Sequence, residues 1–361
     1  MNTLKHFKHL SLPAAMSLIM TLLLFSSCDS FVYDEEGDCS VTYDLKFRYD
    51  MNLKWADAFS NEVKSVNLYA FDENGVLVWK NSEAGSRLAS PDYSMDLPLR
   101  AGKYTLLAWC GLENGKERES FQVPEAVVGT TRLEDITCRL DADKAEDGVS
   151  SGRYLDFLYH GLIEVELPEN MDGGHYSYTM PLVKNTNHIR IILQQLSGDD
   201  LEADEFSFKI EDSNSFMASD NSLADDVNVT YTPWAVTTGT AGVGKDDAEE
   251  AGSRSIVYVN GVIADFSVGR LMADHNKRMV LTITNKDGET VARVPVIDYA
   301  LLSKEYYEQA YHHPMTAQEF LDREDEYSMT FFLDANKKWI STSILIHSWR
   351  IVLDDVELGA K

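Results

Sequence analysis

From Val41 to Tyr49, apolar and polar side chains alternate without a break. Val41, Tyr43, Leu45, Phe47 and Tyr49 share one face; Thr42, Asp44, Lys46 and Arg48 share the other. A period of two over this length predicts a half-buried β-strand. Val63–Phe71 and Val76–Trp79 flank Asp72-Glu-Asn-Gly75, whose Asn-Gly pair supplies the positive-φ residues of a hairpin turn. Tyr93–Leu99 and Tyr104–Trp109 flank Arg100-Ala-Gly102 in the same manner, and Ile136–Leu140 and Leu155–Leu167 extend the series. The second half continues with Tyr176–Val183, His188–Leu196, Phe206–Ile210, Val227–Tyr231, Ile256–Val262, Met279–Thr284 and Val291–Ile297. Short strands at this spacing predict antiparallel β-sandwiches. Pro168 and Met171-Asp-Gly-Gly174 read as a linker, so the expected domains are 39–172 and 173–361. Two segments depart from the strand pattern. Thr237–Gly252, rich in Gly, Ala and acids, predicts a mobile surface loop. Thr316–Glu324 predicts a helix, with Thr316 and Glu319 spaced as a capping box.

The first residues follow another logic. Lys5 and Lys8 precede an apolar run from Ala14 to Phe25, and Ser26 and Ser27 lead into Cys28. The run is too short for the roughly 20 residues of a spanning helix, and the order is that of a secretory signal. Leu-Leu-Leu-Phe-Ser-Ser-Cys28 resembles a bacterial lipobox, although Phe25 stands where that pattern prefers Leu. The expectation is a signal peptide over 1–27, diacylglycerol and acyl chains such as palmitate on Cys28, and a lipidated tether over 28–38. Asp34, Glu35, Glu36 and Asp38 could be a solvated tether; they also resemble the acidic export tag that carries some lipoproteins to the outer face of the outer membrane.

Charge narrows the function classes. Acids outnumber bases 59 to 32, a formal −27, so nucleic acid is not an expected partner and electrostatic adsorption to anionic lipid is disfavoured. Lipid on Cys28 would hold the chain where charge cannot. In an oxidising compartment Cys39 and Cys110 could form a disulfide, or all remaining thiols could stay reduced; both remain open. No metal or cofactor is expected. Gly239-Thr-Ala-Gly-Val-Gly-Lys245 nearly spells a phosphate loop, but Asp246 replaces the required hydroxyl. His312 and His313 are adjacent and so diverge. No nucleophile elbow or ordered triad occurs, and the chain is not expected to be an enzyme. Six Trp and 17 Tyr could form sugar platforms; most lie in strands, as do Trp109, Trp339 and Trp349, where aromatic rings fill cores.

Taken in order, several stretches resemble one family, the FimB-type anchor subunits of type V fimbriae, which are minor-fimbrium anchor lipoproteins. They are Cys28 with Cys39, Val66–Gly75, Ala101–Gly111, Tyr159-His-Gly161, Leu182–Ile189, Gln318–Tyr327 with Phe331-Phe-Leu333, and Ile344–Trp349. The resemblance implies an all-β chain of two tandem transthyretin-like antiparallel β-sandwich domains with few short helices. It also implies an outer-membrane lipoprotein that anchors the base of a fimbrium, contacts a fimbrillin stalk subunit and terminates assembly. Stalk subunits of such fimbriae join by strand exchange, which is β-augmentation. Val41–Tyr49 could fill its own groove. Leu345, His347, Trp349, Ile351 and Leu353 share one face of an alternating run that could enter a stalk subunit's groove or serve as the last strand of domain two. A surface carbohydrate-binding lipoprotein, a tip or accessory adhesin, and host or glycan ligands stay open as alternatives.

Overall fold

In a computed structural model of the chain, the described residues are 41–112, 118–169, 173–195, 200–224, 227–245, 255–275, 278–346 and 349–352. Val41–Arg48 becomes the predicted strand, with Tyr43, Leu45 and Phe47 turned into a core. It is the middle of a three-stranded sheet, parallel to Gly174–Pro181 and antiparallel to Met95–Asp96. That sheet faces a five-stranded one, ordered Val183–Lys184, Tyr159–Leu167, Gly102–Cys110, Ser65–Phe71, Leu77–Ala84. Leu45 and Phe47 meet Val66, Leu68, Leu106 and Ala108 between them. The predicted hairpin turn is present: the amides of Asn74 and Val76 donate to Asp72 Oδ1 at 3.0 and 2.9 Å, and Gly75 takes φ 72°. A side chain there would be strained.

The second sandwich is built of two six-stranded sheets. One runs Ala235–Lys245, Ser255–Val268, Asn187–Gln195, Glu326–Leu333, Trp339–Ile346, Trp349–Val352. The other runs Thr290–Pro295, Val280–Asn285, Phe206–Asp212, Val229–Tyr231, Gly148–Ser151, Asp143–Ala145. Ile189, Ile191 and Phe266 from the first pack with Phe208, Leu281 and Val294 from the second.

All-β sandwich architecture with few short helices is thus what the chain adopts, though three pairings are parallel. Strand pairing crosses the expected boundary near 172 in both directions. Gly174–Pro181 joins the first sandwich, and Gly148–Ser151 joins the second through Val229–Tyr231. The five-stranded sheet is also covered on both faces: Tyr69, Phe71, Leu107 and Trp109 belong to the core that continues into the second sandwich. This explains why Leu106-Leu-Ala-Trp-Cys110 is an unbroken apolar run rather than an alternating one.

Three expectations change. The loop predicted over Thr237–Gly252 is, up to Lys245, part of an eleven-residue strand in register with Ser255–Val268. The Gly-rich composition misled: these glycines lie in a paired ladder and not in a loop. The phosphate-loop look-alike is therefore a ladder, with no turn to cradle an anion; Asp246 lies outside the described residues. The strand predicted to run to Ile297 ends at Pro295, where the helix Val296–Leu301 begins; Lys304–Tyr311 follows. Finally, the single run expected from Leu345 onward is two strands of a hairpin, with Leu345 opposite Arg350, Ile346 opposite Trp349 and Ile344 opposite Ile351.

Candidate functional site

The two sandwiches are joined where Leu182–Ile189 meets Gln318–Tyr327, two stretches quoted above for a resemblance. Thr316 caps the predicted helix, found as Ala317–Arg323: its Oγ1 accepts from the Glu319 amide at 3.0 Å. The Glu319 side chain binds Arg323 at 3.0 Å instead of closing a capping box, and also meets His313 at 3.4 Å. Phe320 and Leu321 are buried, and Gln318, Asp322, Arg323 and Asp325 each bond a residue outside the stretch.

Lys184 is the central cation. Its side chain is 4% exposed and contacts Asp325 and, at 3.4 Å, Glu62. Its ammonium sits 3.6 Å from the centre of the Phe157 ring, a cation–π contact strengthened by removal from water. Glu62 also accepts from Tyr159 Oη at 3.1 Å. Arg270 donates to both oxygens of Asp322 at 2.9 and 3.2 Å, and to the Asn221 carbonyl at 2.6 Å. Asn221 and Asn185 exchange amide hydrogen bonds at 2.6 and 3.1 Å. Arg323 donates to the Asp50 carbonyl at 3.1 Å and lies 3.7 Å over the Trp55 ring; its own carbonyl accepts from the Leu53 amide at 3.1 Å. His313 meets Trp55 edge-on at 4.6 Å.

Burial sets the electrostatics of this junction. It pushes Glu324 up to about 7, helped by the charges of Asp325 and Glu326, while the Glu326 and Asp325 amides pull it back. Asp322 is raised by burial and drawn down by Arg270. His188 is pushed below its ordinary value by burial and then by Lys184. Gly111 matters sterically: with φ 92°, it lies so close to the Phe157 carbonyl that an added Cβ would fall 1.8 Å from that oxygen.

The residues singled out for function lie elsewhere. Cys28, Cys39, His347 and Leu353 are outside the described residues. Cys110 is wholly buried at the end of Gly102–Cys110, and burial raises its thiol well above the ordinary range. Leu345, Trp349 and Ile351 lie on the terminal hairpin, whose last strand pairs with one neighbour. His312 closes the helix Lys304–Tyr311 in a left-handed conformation. The Lys184 cluster was missed because Glu62, Lys184 and Asp325 are distant in sequence and no spacing links them. No helix among the described residues is long and apolar enough to cross a membrane.

Comparison with known proteins bears on this arrangement. The family described as fimbrillin-A associated anchor proteins Mfa1 and Mfa2 matches residues 35–355. The minor fimbrium anchoring subunit Mfa2 of Porphyromonas gingivalis is 24% identical over 302 residues, covering 82% of each chain. A candidate adhesin from Bacteroides thetaiotaomicron is 32% identical, with a TM-score of 0.73 over 89% of this chain and 100% of that one. The solved fimbrial anchor protein Mfa2 from Porphyromonas gingivalis shares the fold, with a TM-score of 0.60 and 19% identity over 87% of this chain and 99% of that one. The family is one of fimbrial structural proteins, not enzymes. With a match over most of its length, the chain belongs to the family of fimbrillin-A associated anchor proteins.

Proposed function

We propose that the chain is a lipid-anchored fimbrial anchor of the bacterial outer membrane, which holds the base of a fimbrium and ends its assembly. The observation that carries this reading, beside family membership, is the place of Val41–Arg48. It is paired on both sides within its own sheet, so the groove that a donated strand would occupy is already filled by the chain itself. A subunit closed in this way offers no acceptor at that end, and growth stops there. Cys28 is the acyl acceptor. The residues between it and Val41 span at most about 40 Å when extended, and their acids hold the sandwiches off anionic head groups. At the opposite end, the Trp349–Val352 edge meets a fimbrillin stalk subunit through backbone pairing.

The experiment is Cys28→Ser in a fimbriated host strain, with fatty-acid labelling and fractionation. The expected result is loss of label and release of the protein together with fimbriae into the medium. An unlabelled wild-type protein, or a variant that stays in the membrane fraction, overturns the lipid anchor. A second reading, an accessory or tip adhesin, is favoured by the likeness to the Bacteroides thetaiotaomicron candidate adhesin. Immunogold labelling at filament tips rather than at the cell surface would select it.

A further inference from the structure

Beside the junction, exposed aromatic rings gather in one cleft. Tyr154 and Trp234 are 50% and 43% exposed, and their rings meet edge to face at 5.4 Å. The His188 ring packs against Tyr154 at 4.8 Å and Phe157 at 5.5 Å. Both sandwiches contribute: Tyr154 and Phe157 precede Tyr159–Leu167, whereas His188 lies in Asn187–Gln195 and Trp234 immediately precedes Ala235–Lys245. On one side a cavity of about 300 Å³ lies between Tyr154, Phe157, Asp156, Glu62 and Lys64. On the other, a cavity of about 320 Å³ lies beside Trp234, above Arg190, Asp265 and Glu326 on the outer face of the sheet. Both volumes stand at the low end of the range of about 300–1,000 Å³ for small-molecule pockets, which favour domain interfaces.

We infer that this cleft binds a neutral saccharide chain, with sugar rings on either side of the Tyr154–Trp234 pair. The C–H face of a sugar ring suits the electron-rich face of an exposed aromatic ring. Its hydroxyls both donate and accept, so they satisfy carboxylates, which only accept, and a guanidinium, which only donates, within one pocket. Arg190 and Asp265 present that combination, held together at 2.7 Å. Charge disfavours the other saccharides: Glu62, Asp156, Asp265 and Glu326 outnumber Lys64 and Arg190 around the two cavities, and the chain carries −27, so uronate or sulfated polymers bind less well than neutral ones. The polar floor above Arg190, Asp265 and Glu326 also suits hydroxyls better than the apolar side chains of a peptide.

The test is native-gel retardation of the full chain in gels cast with xylan, mannan or β-glucan, with polygalacturonate as the anionic comparison. At least one neutral polymer should retard the protein. Trp234→Ala and Tyr154→Ala should each weaken that retardation about tenfold, equivalent to about 1.4 kcal/mol. Tyr306→Ala, at an exposed ring elsewhere, should not. Near-ultraviolet circular dichroism checks folding, and if Trp234→Ala unfolds, Arg190→Ala probes the same cavity from its floor. No retardation by any neutral polymer, or retardation untouched by these substitutions, overturns the site. Retardation by polygalacturonate alone, or capture of a peptide from a library on the same two rings without any saccharide, overturns the ligand class.

Discussion

The first and last strands among the described residues differ in what surrounds them. Val41–Arg48 has a neighbour on each side, and Tyr43, Leu45 and Phe47 are sealed in the first core. Among the described residues, Trp349–Val352 pairs with Trp339–Ile346 alone and ends its sheet. An edge of this kind keeps a row of unmatched backbone donors and acceptors, which is a template for another chain. The first described strand lies inside its sheet, while the last lies at an edge among the described residues. The pairing that closes the first end is parallel, to a segment more than a hundred residues on, so closure requires the whole first sandwich to form and is not a local event.

The contrast has a functional meaning only if both ends belong to one rigid body, and the largest expected effect lies at the junction. Lys184→Ala would leave Asp325 and Glu62 facing each other without their cation. Breaking a buried pair costs about 3–5 kcal/mol; because both carboxylates are partly exposed, the lower end is expected. Urea denaturation should show it, with a split transition if the sandwiches come apart. At the closed end, Leu45 is fully buried, and Leu45→Ala should cost about 2–5 kcal/mol. A chain lacking residues 41–49 should regain stability when a peptide of that sequence is added. No gain in melting temperature with the peptide would mean that the strand is core and nothing more.

Much of the first end was legible because a strand with one buried face writes a period of two. The five-stranded sheet was legible for the opposite reason, since burial on both faces writes a continuous run. What could not be read was long-range: which strands pair in parallel, and that segments 143–151 and 174–181 each join the sandwich on the far side of the expected boundary. Glycine misled at Ala235–Lys245, where it sits in a paired ladder and not a loop. The junction residues were partly visible, since Gln318–Tyr327 and Leu182–Ile189 carried the resemblance. Their partners were invisible, because Lys184, Glu62 and Asp325 are brought together only by tertiary structure.

A smaller effect at the same junction is tied to pH. Glu324 has its folded value raised from 4.5 to about 7 by burial. The folded state therefore holds a proton that the unfolded state has lost between these values. Stability from this group is present at low pH and falls as pH rises from about 4.5 to about 7, by an order of 1–3 kcal/mol, then stays level. Glu324→Gln keeps an acceptor for the Asp325 and Glu326 amides but cannot ionise. The difference between wild-type and variant denaturation curves should grow across that window, the variant being the more stable at neutral pH. A difference independent of pH would show that Glu324 does not titrate there.

The smallest effect on stability is expected at the open end, where the functional effect should be greatest. Removing residues 349–361 deletes a strand that pairs through four residue pairs with one neighbour. The hydrogen bonds lost contribute about 1 kcal/mol each at most, and the ordering entropy regained offsets much of that. The remaining sheet then ends at Trp339–Ile346, so the melting temperature of the purified protein should move by only a few degrees. Attachment should respond differently if this edge meets the stalk subunit: the truncated chain should reach the membrane through Cys28, yet fimbriae should appear in the medium. Trp349→Ala should weaken attachment less than the truncation, since backbone pairing survives a side-chain change. A truncation that unfolds the second sandwich would erase the contrast between the two ends, making the last strand as integral as the first. A folded truncation that still retains fimbriae would keep the contrast and move the stalk contact to another surface.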